Sequence, residues 1–189
     1  MRIISGNFKG KHILQPKDSK TRPLKDLTKE SIFNIINHTN KFEINLQNCK
    51  VLDLFSGIGS FGIECLSRGA KKVVFVENYI NVVPILKKNL INLFTVKNYE
   101  ILNKDIYKSD FFSKLETKFD LIFLDPPYKY KNLEILFNKI KENNILNKNG
   151  IIILHRHKKE RDIFPPQFNI IEKKKYGISK IFFLNYLNQ

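Results

Sequence analysis

The sequence predicts an open, doubly wound α/β sheet, and three observations carry that reading. Short apolar runs at 51–55, 72–77, 119–124 and 151–154 alternate with segments of helical spacing. The runs are continuous rather than alternating, so both faces of each strand are covered. A glycine-rich turn, Gly57-Ile58-Gly59-Ser60-Phe61-Gly62, follows the first run and opens a helix. Residues 99–102 add another strand, and 168–174 and 181–187 add two more joined by a turn at Gly177. The expected architecture is a seven-stranded sheet, mostly parallel, ending in an antiparallel strand.

Residues 1–15 read as a short basic hairpin or arm. Ile3 and Ile4 precede the turn Ser5-Gly6-Asn7, and Lys9-Gly10-Lys11 is a second turn before Ile13-Leu14. Residues 16–23 are a polar, basic loop. Leu27, Ile32, Phe33, Ile35 and Ile36 cluster at helical spacing, which predicts a helix over 26–38 with Asp26 or Thr28 as its cap. Residues 39–48 form a polar connection to the first strand. The helix after the glycine-rich turn covers 60–68 and ends at Gly69. A helix over 81–93 tolerates Pro84 only in its first turn, where no N–H is needed. Residues 108–116 read as a short helix and 130–144 as an amphipathic one. Residues 1–45 are thus the arm with the first helix, and 46–189 the sheet domain, together one compact unit.

At 189 residues the chain is long enough to bury a core without staples. Its 42% hydrophobic content excludes wholesale disorder, and two cysteines, Cys49 and Cys65, cannot make a disulfide framework or a zinc cluster. No apolar run approaches the roughly 18 residues of a membrane span, so a soluble, cytoplasmic protein is expected. The net charge of +15 invites a nucleic-acid partner, but only five of the 33 basic residues are Arg. Such a Lys-rich bias can arise from genome composition, so position is the better witness. Residues 1–29 hold eight Lys or Arg against two Asp, a net of +6, while the other 160 residues net +9. Arg2, Lys9, Lys11, His12 and Arg22 are the candidate RNA contacts: in a glycine- and proline-bearing arm they can track phosphates while adding little to a core.

The glycines of the turn let the backbone approach a ligand closely. Glu77 ends the next strand twenty residues after Gly57, where a carboxylate can accept both ribose hydroxyls of an adenosine-containing cofactor. Asn78 beside it is assigned to the same site. Asp53 lies within the first strand, and Phe55-Ser56-Gly57 makes a longer turn than a dinucleotide site uses. An acid there can face a cationic amino group, which a nicotinamide cofactor lacks and S-adenosylmethionine carries. Asp105, with Ile106 after it, is placed to accept from an adenine amino group; the plainer role for Asp105 is to cap the segment that follows.

Asp125-Pro126-Pro127-Tyr128 arrives at the carboxyl end of the fourth strand, the edge where open α/β sheets bind ligands. Two prolines fix φ and remove two donors, leaving a rigid, acceptor-only surface. The Asp125 carboxylate and the Pro126 carbonyl can then accept both hydrogens of one planar –NH₂ group. Two acceptors draw that nitrogen toward tetrahedral geometry and aim its lone pair at an electrophilic methyl. Tyr128 offers a face on which a base can stack.

On these residues the chain resembles the class I S-adenosylmethionine-dependent amino-methyltransferases, whose fold is Rossmann-like. More narrowly it is similar to the bacterial 16S rRNA guanine-N2 methyltransferases that modify guanine 966. The narrower likeness rests on Arg2-Ile3-Ile4-Ser5-Gly6, Lys9-Gly10-Lys11, Thr21-Arg22-Pro23 and Glu30-Ser31-Ile32-Phe33-Asn34. Asp53-Leu54-Phe55-Ser56-Gly57-Ile58-Gly59 and Asp125-Pro126-Pro127-Tyr128 are shared by many methyltransferases. The resemblance implies methyl transfer from S-adenosylmethionine to the N2 amine of a guanine in 16S rRNA, naked or in a small-subunit assembly intermediate, by a monomer that needs no metal. Three departures stand out: Asn78 after Glu77, Arg156 where many relatives carry an acid, and Ile178-Ser179 between the last two strands.

His155-Arg156-His157 has no cysteine or acidic cluster nearby in sequence to complete a metal site, and its histidines read as cleft-edge or RNA-facing. The competing functions are an adenine-N6 or cytosine-N4 amino-methyltransferase, an NAD-dependent oxidoreductase, and a non-catalytic RNA-binding factor. The first usually needs a recognition insertion of a size this chain lacks. The second leaves Asp125 to Tyr128 without a role.

Overall fold

Parallel hydrogen bonding brings the ends of four strands into line. In a computed structural model that describes residues 1–16, 24–108, 110–127, 130 and 132–187, Leu54 of β1 (Lys50–Leu54) lies opposite Val76 of β2 (Lys72–Val76) and Leu124 of β4 (Phe119–Leu124). Leu124 in turn lies opposite Leu154 of β5 (Leu146–His157). The next residues along the chain, Phe55, Glu77, Asp125 and His155, therefore reach one edge of the sheet. With β3 (Tyr99–Leu102), β6 (Phe168–Tyr176) and β7 (Ser179–Tyr186) the order is β3-β2-β1-β4-β5-β7-β6. Only β7 runs against its neighbours β5 and β6, as the sequence predicts.

The strands are apolar on both faces because each face carries a core. Val51, Phe75, Phe123, Ile153 and Ile181 pack with α1 (Asp26–His38), α2 (Ser60–Ser67) and α3 (Val83–Ile91). Leu52, Val74, Ile122 and Leu154 pack on the other side with Phe111, Phe112 and α4 (Leu133–Glu142). In α4 the buried residues are Leu133, Leu136, Phe137 and Ile140, the three-and-four spacing of one helix face. Pro84 falls in the first turn of α3, the place that tolerates it. Among the described residues no helix is long and apolar enough to cross a membrane.

Two elements differ from expectation. The helix expected over 108–116 is a single 3₁₀ turn, Phe112–Lys114. Phe111 and Phe112 are both buried, and adjacent residues cannot share one face of a regular helix. The fifth strand starts at Leu146 rather than 151, since Phe119 pairs with Leu146 before an irregularity restores the register at Leu121 and Ile151. Polar Asn147, Lys148 and Asn149 conceal that extension in the sequence.

The expectation that the arm adds little to a core is overturned. Ile3 and Ile13 are 1% and 5% exposed, and Arg2 bridges His12 to close a small hairpin. Its backbone is fastened to α2: the N–H groups of Ile4 and Ser5 donate to the Glu64 carboxylate at 2.8 and 2.9 Å. Gly6, at φ +81°, approaches so closely that a Cβ would stand 1.9 Å from the Ser67 carbonyl oxygen. Glu64 is fully buried, with Arg68 at 2.9 Å and the equally buried Lys29 of α1 at 3.6 Å. The Lys29 ammonium also donates to the Arg2 carbonyl at 2.9 Å. Burial lowers the Lys29 pKa from its ordinary value, against the pull of Glu64 and Asp26. At the other end of the hairpin, the Asn89 amide of α3 accepts from Leu14 N–H at 2.8 Å. It donates to the Leu14 carbonyl at 3.2 Å and to the Ile58 carbonyl at 3.1 Å.

Candidate active site

At the end of β1 the chain must turn sharply, and Phe55 does so in the left-handed region at φ +63°. For a residue with a Cβ this conformation costs about 1–2 kcal/mol. Hydrogen bonds of the loop offset it. Ser56 N–H donates to the Val76 carbonyl at 3.0 Å, and Gly59 N–H to the Ser56 carbonyl at 2.8 Å. Gly59 sits at φ +84°, where a Cβ would meet Leu86 at 2.5 Å, so the position requires glycine. At Gly57 a Cβ would meet nothing within 4 Å, so this side of the loop faces open space.

Glu77 closes the loop from β2. Its Oε2 accepts from Gly57 N–H at 2.7 Å, and its Oε1 from the N–H groups of Asn78 and Tyr79 at 2.9 and 2.8 Å. A carboxylate has about four acceptor sites, so one remains on Oε2 for a ligand hydroxyl. Asn78 itself is exposed.

Asp53 faces inward rather than toward the cleft. It is 1% exposed, and its Oδ2 accepts from Gly62 N–H at 2.9 Å, anchoring the first turn of α2. Burial raises its carboxyl pKa well above the ordinary value, and the charges of Asp125 and Glu77 add to the rise. Asp105 accepts from Tyr107 N–H at 2.9 Å, the local turn that is its plainer role, and Ile106 is buried in the core beneath.

Asp125 stands just beyond β4 with its side chain 22% exposed, and its Oδ1 lies 2.8 Å from His155 Nδ1. His155 Nε2 lies 2.9 Å from Ser179 Oγ on β7. Pro126 is buried and Pro127 exposed, and the Pro127 carbonyl accepts from Tyr130 N–H at 2.8 Å. Tyr128 lies outside the described residues. Around the loop, Phe55, Tyr107 and Tyr130 make an aromatic group: Tyr107 stacks on Tyr130 at 5.0 Å between ring centroids, and Phe55 tilts against both at 6.2 and 5.9 Å. Burial pushes both tyrosine pKa values up, so the hydroxyls stay protonated.

The sequence reading missed Tyr107, Tyr130 and the His155–Ser179 pair. Both tyrosines follow a nominated residue within two positions and lie in loops, outside any core periodicity. His155 is one residue past Leu154, so parallel pairing of strands four and five already implies that it adjoins Asp125. Of the two readings of His155, cleft-edge or RNA-facing, its place beside Asp125 supports the cleft edge. His155 is 7% exposed; Arg156 is 3% exposed and bonded through Nε to Asp162 at 2.9 Å and through Nη2 to the Tyr130 carbonyl at 3.0 Å. Arg2, Lys9, Lys11 and His12 are all exposed, while their apolar neighbours Ile3 and Ile13 point inward. Arg22 lies outside the described residues.

The profile of the family described as conserved hypothetical protein 95 matches residues 1–185. The Haemophilus influenzae protein named ribosomal RNA small subunit methyltransferase D is 34% identical over 181 residues, covering 94% of this chain and 90% of its own. The protein of that name from Buchnera aphidicola subsp. Baizongia pistaciae is 31% identical over 188 residues, covering 100% and 92%. Among solved structures, a Haemophilus influenzae protein described as a candidate methylase superposes with a TM-score of 0.76 at 31% identity, covering 99% of this chain and 98% of its own. An Escherichia coli protein described as a candidate methyltransferase reaches 0.83 at 24% identity, covering 100% and 99%, which shows the shared fold.

Proposed function

The chain belongs to the family described as conserved hypothetical protein 95, and from that premise we propose that it methylates the exocyclic N2 amine of a guanine in 16S ribosomal RNA. Methyl transfer to ribosomal RNA is the coarser activity, carried by relatives that match this chain nearly end to end. Guanine N2 is the finer reading and comes from the resemblance; the geometry of Asp125, a partly exposed acceptor on a rigid proline pair at the cleft edge, supports an exocyclic amine as the target.

S-adenosylmethionine is the methyl donor; when bound it supplies a methyl on a sulfonium, and the bonding pair returns to sulfur as the methyl leaves. The residues present fit it. Gly57 and Gly59 shape a loop with one open side, Glu77 keeps an acceptor site for a ribose hydroxyl, and Asp105 with Ile106 would border the adenine. Asp125 and the Pro126 carbonyl accept the two hydrogens of the target amine, so its lone pair points at the incoming methyl. As the N–C bond forms, the nitrogen becomes cationic and loses one proton to the Asp125 carboxylate, which passes it to water. No metal is needed, because in-line displacement depends mainly on alignment. The target base leaves its stack to reach the site, as base-modifying enzymes require. The exposed cations Arg2, Lys9 and Lys11 hold the phosphates.

The test is labelled methyl transfer to DNA, naked 16S rRNA and small-subunit particles, followed by mass spectrometry of the modified nucleoside. N2-methylguanosine from rRNA is the expected product. N6-methyladenosine or a methylated cytosine would replace the guanine assignment, and no transfer to any RNA would leave only a binding role. Asp125→Ala is expected to abolish turnover while leaving donor affinity largely intact, because the interaction counts mainly in the transition state.

A further inference from the structure

We propose that His155 is a positioning residue for methyl transfer: its Nδ1–H holds one oxygen of Asp125 so that the other faces the amine, and Ser179 keeps the imidazole in the tautomer that does this. The inference rests on the role given to Asp125 above.

The three residues are far apart in sequence and meet through sheet register. Leu124 pairs with Leu154, which sets Asp125 beside His155. His155 pairs with Ile181 across the antiparallel β5–β7 ladder, which places Ser179 at the diagonal position on the same face. The resulting chain runs Asp125 Oδ1 to His155 Nδ1 at 2.8 Å and His155 Nε2 to Ser179 Oγ at 2.9 Å. Both ring nitrogens are therefore engaged, and His155 and Ser179 are each 7% exposed.

The chemistry of the partners sets the tautomer. An ionised carboxylate only accepts, so the nitrogen facing Asp125 carries the hydrogen. A neutral ring then has its lone pair on Nε2, and the serine hydroxyl, which can turn either way, donates to it. With Oδ1 occupied, Asp125 cannot swing freely, and its Oδ2 is the oxygen left for substrate. Ser179 itself is no nucleophile here: it is buried in the sheet, and its hydroxyl hydrogen is spent on the ring. A carboxylate that aims a lone pair must be held closely, since a misplacement of about 1 Å costs on the order of a hundredfold in rate.

The experiment compares His155→Asn, His155→Gln and Ser179→Ala with wild type in steady-state methylation of the rRNA substrate, with kcat and KM measured separately. Asparagine places an amide N–H where Nδ1–H stood; glutamine fills more of the space but places it where Nε2 stood. His155→Gln is expected to lose about a hundredfold in kcat with little change in KM, by the same positional argument. His155→Asn is expected to recover at least tenfold of that loss, and Ser179→Ala to show an intermediate fall. Equal kcat for the Asn and Gln variants would overturn the proposal, as would wild-type kcat in His155→Gln. Nitrogen NMR of histidine-labelled wild-type protein reads the ring directly and needs no variant to fold. A neutral Nδ1–H ring at His155 is expected; an Nε2–H ring or an imidazolium would overturn the proposal. Asp125→Ala in the same assay separates the two ideas. If it keeps turnover, the role of Asp125 fails; if it is inactive while His155→Gln is not, only the role of His155 fails.

Discussion

Gly57 N–H donates to Glu77 Oε2 at 2.7 Å, so the tip of the β1 loop and the end of β2 are held together by one side chain. Glu77 thus secures the loop, and in the proposed site its remaining acceptor position is the one left for the ribose.

Glu77→Ala is accordingly expected to weaken S-adenosylmethionine binding at least tenfold. A hydrogen bond to a charged acceptor contributes about 1.5–3 kcal/mol, and the loop loses its tether as well. Glu77→Gln keeps an oxygen for one partner and should fall between alanine and wild type. Calorimetry that finds unchanged affinity in a folded alanine variant would remove Glu77 from the site.

For the arm, replacing Arg2, Lys9 and Lys11 by Gln should reduce the slope of log K against log salt for RNA binding by about two units. This takes about 0.7 counterions released per phosphate contact on unpaired RNA. Ile3 and Ile13 stay in place, so the fold should hold and donor affinity should be unaltered. Filter binding across a salt series checks it; an unchanged slope would make these lysines and the arginine ordinary solvated charges.

Lys29→Ala should destabilise the protein by about 3–5 kcal/mol, because it leaves Glu64 buried with one cation fewer. Lys29→Met fills the space but also strands the Arg2 carbonyl, so it should recover only part of the loss. The lowered pKa of Lys29 gives a pH signature. Between the folded value and the ordinary 10.5 the unfolded chain binds more protons at this site, so its contribution to stability rises with pH in that window. Urea unfolding of wild type and Lys29→Met at a series of alkaline pH values should show this component in wild type alone.

Much of the sheet was legible because continuous apolar runs and a glycine turn at the end of the first strand admit few other folds. Glu77 and Asp125 could be nominated for the same reason: each stands one residue past a strand end that parallel pairing brings to the site, and the glycines belong to the turn that follows β1. What stayed hidden depends on register or on burial. The Asp125–His155–Ser179 chain needs the pairing of β5 with β7, which no local spacing encodes. Asp53 carries a charge-bearing side chain and so reads as a ligand contact, yet Gly62 N–H holds it inside. The arm reads as a solvated basic segment because its two anchoring isoleucines are few among many cations, and the Glu64 carboxylate that fastens it lies some sixty residues away.

Asn89 binds the Leu14 backbone with one part of its amide and the Ile58 carbonyl with another. A single side chain thereby makes the arm and the glycine-rich loop mechanical neighbours, although they are distant in the chain. Where RNA steadies the arm, the loop is steadied with it, and where the donor steadies the loop, the arm gains equally. Thermodynamic linkage requires the two gains to be the same factor, whichever molecule arrives first.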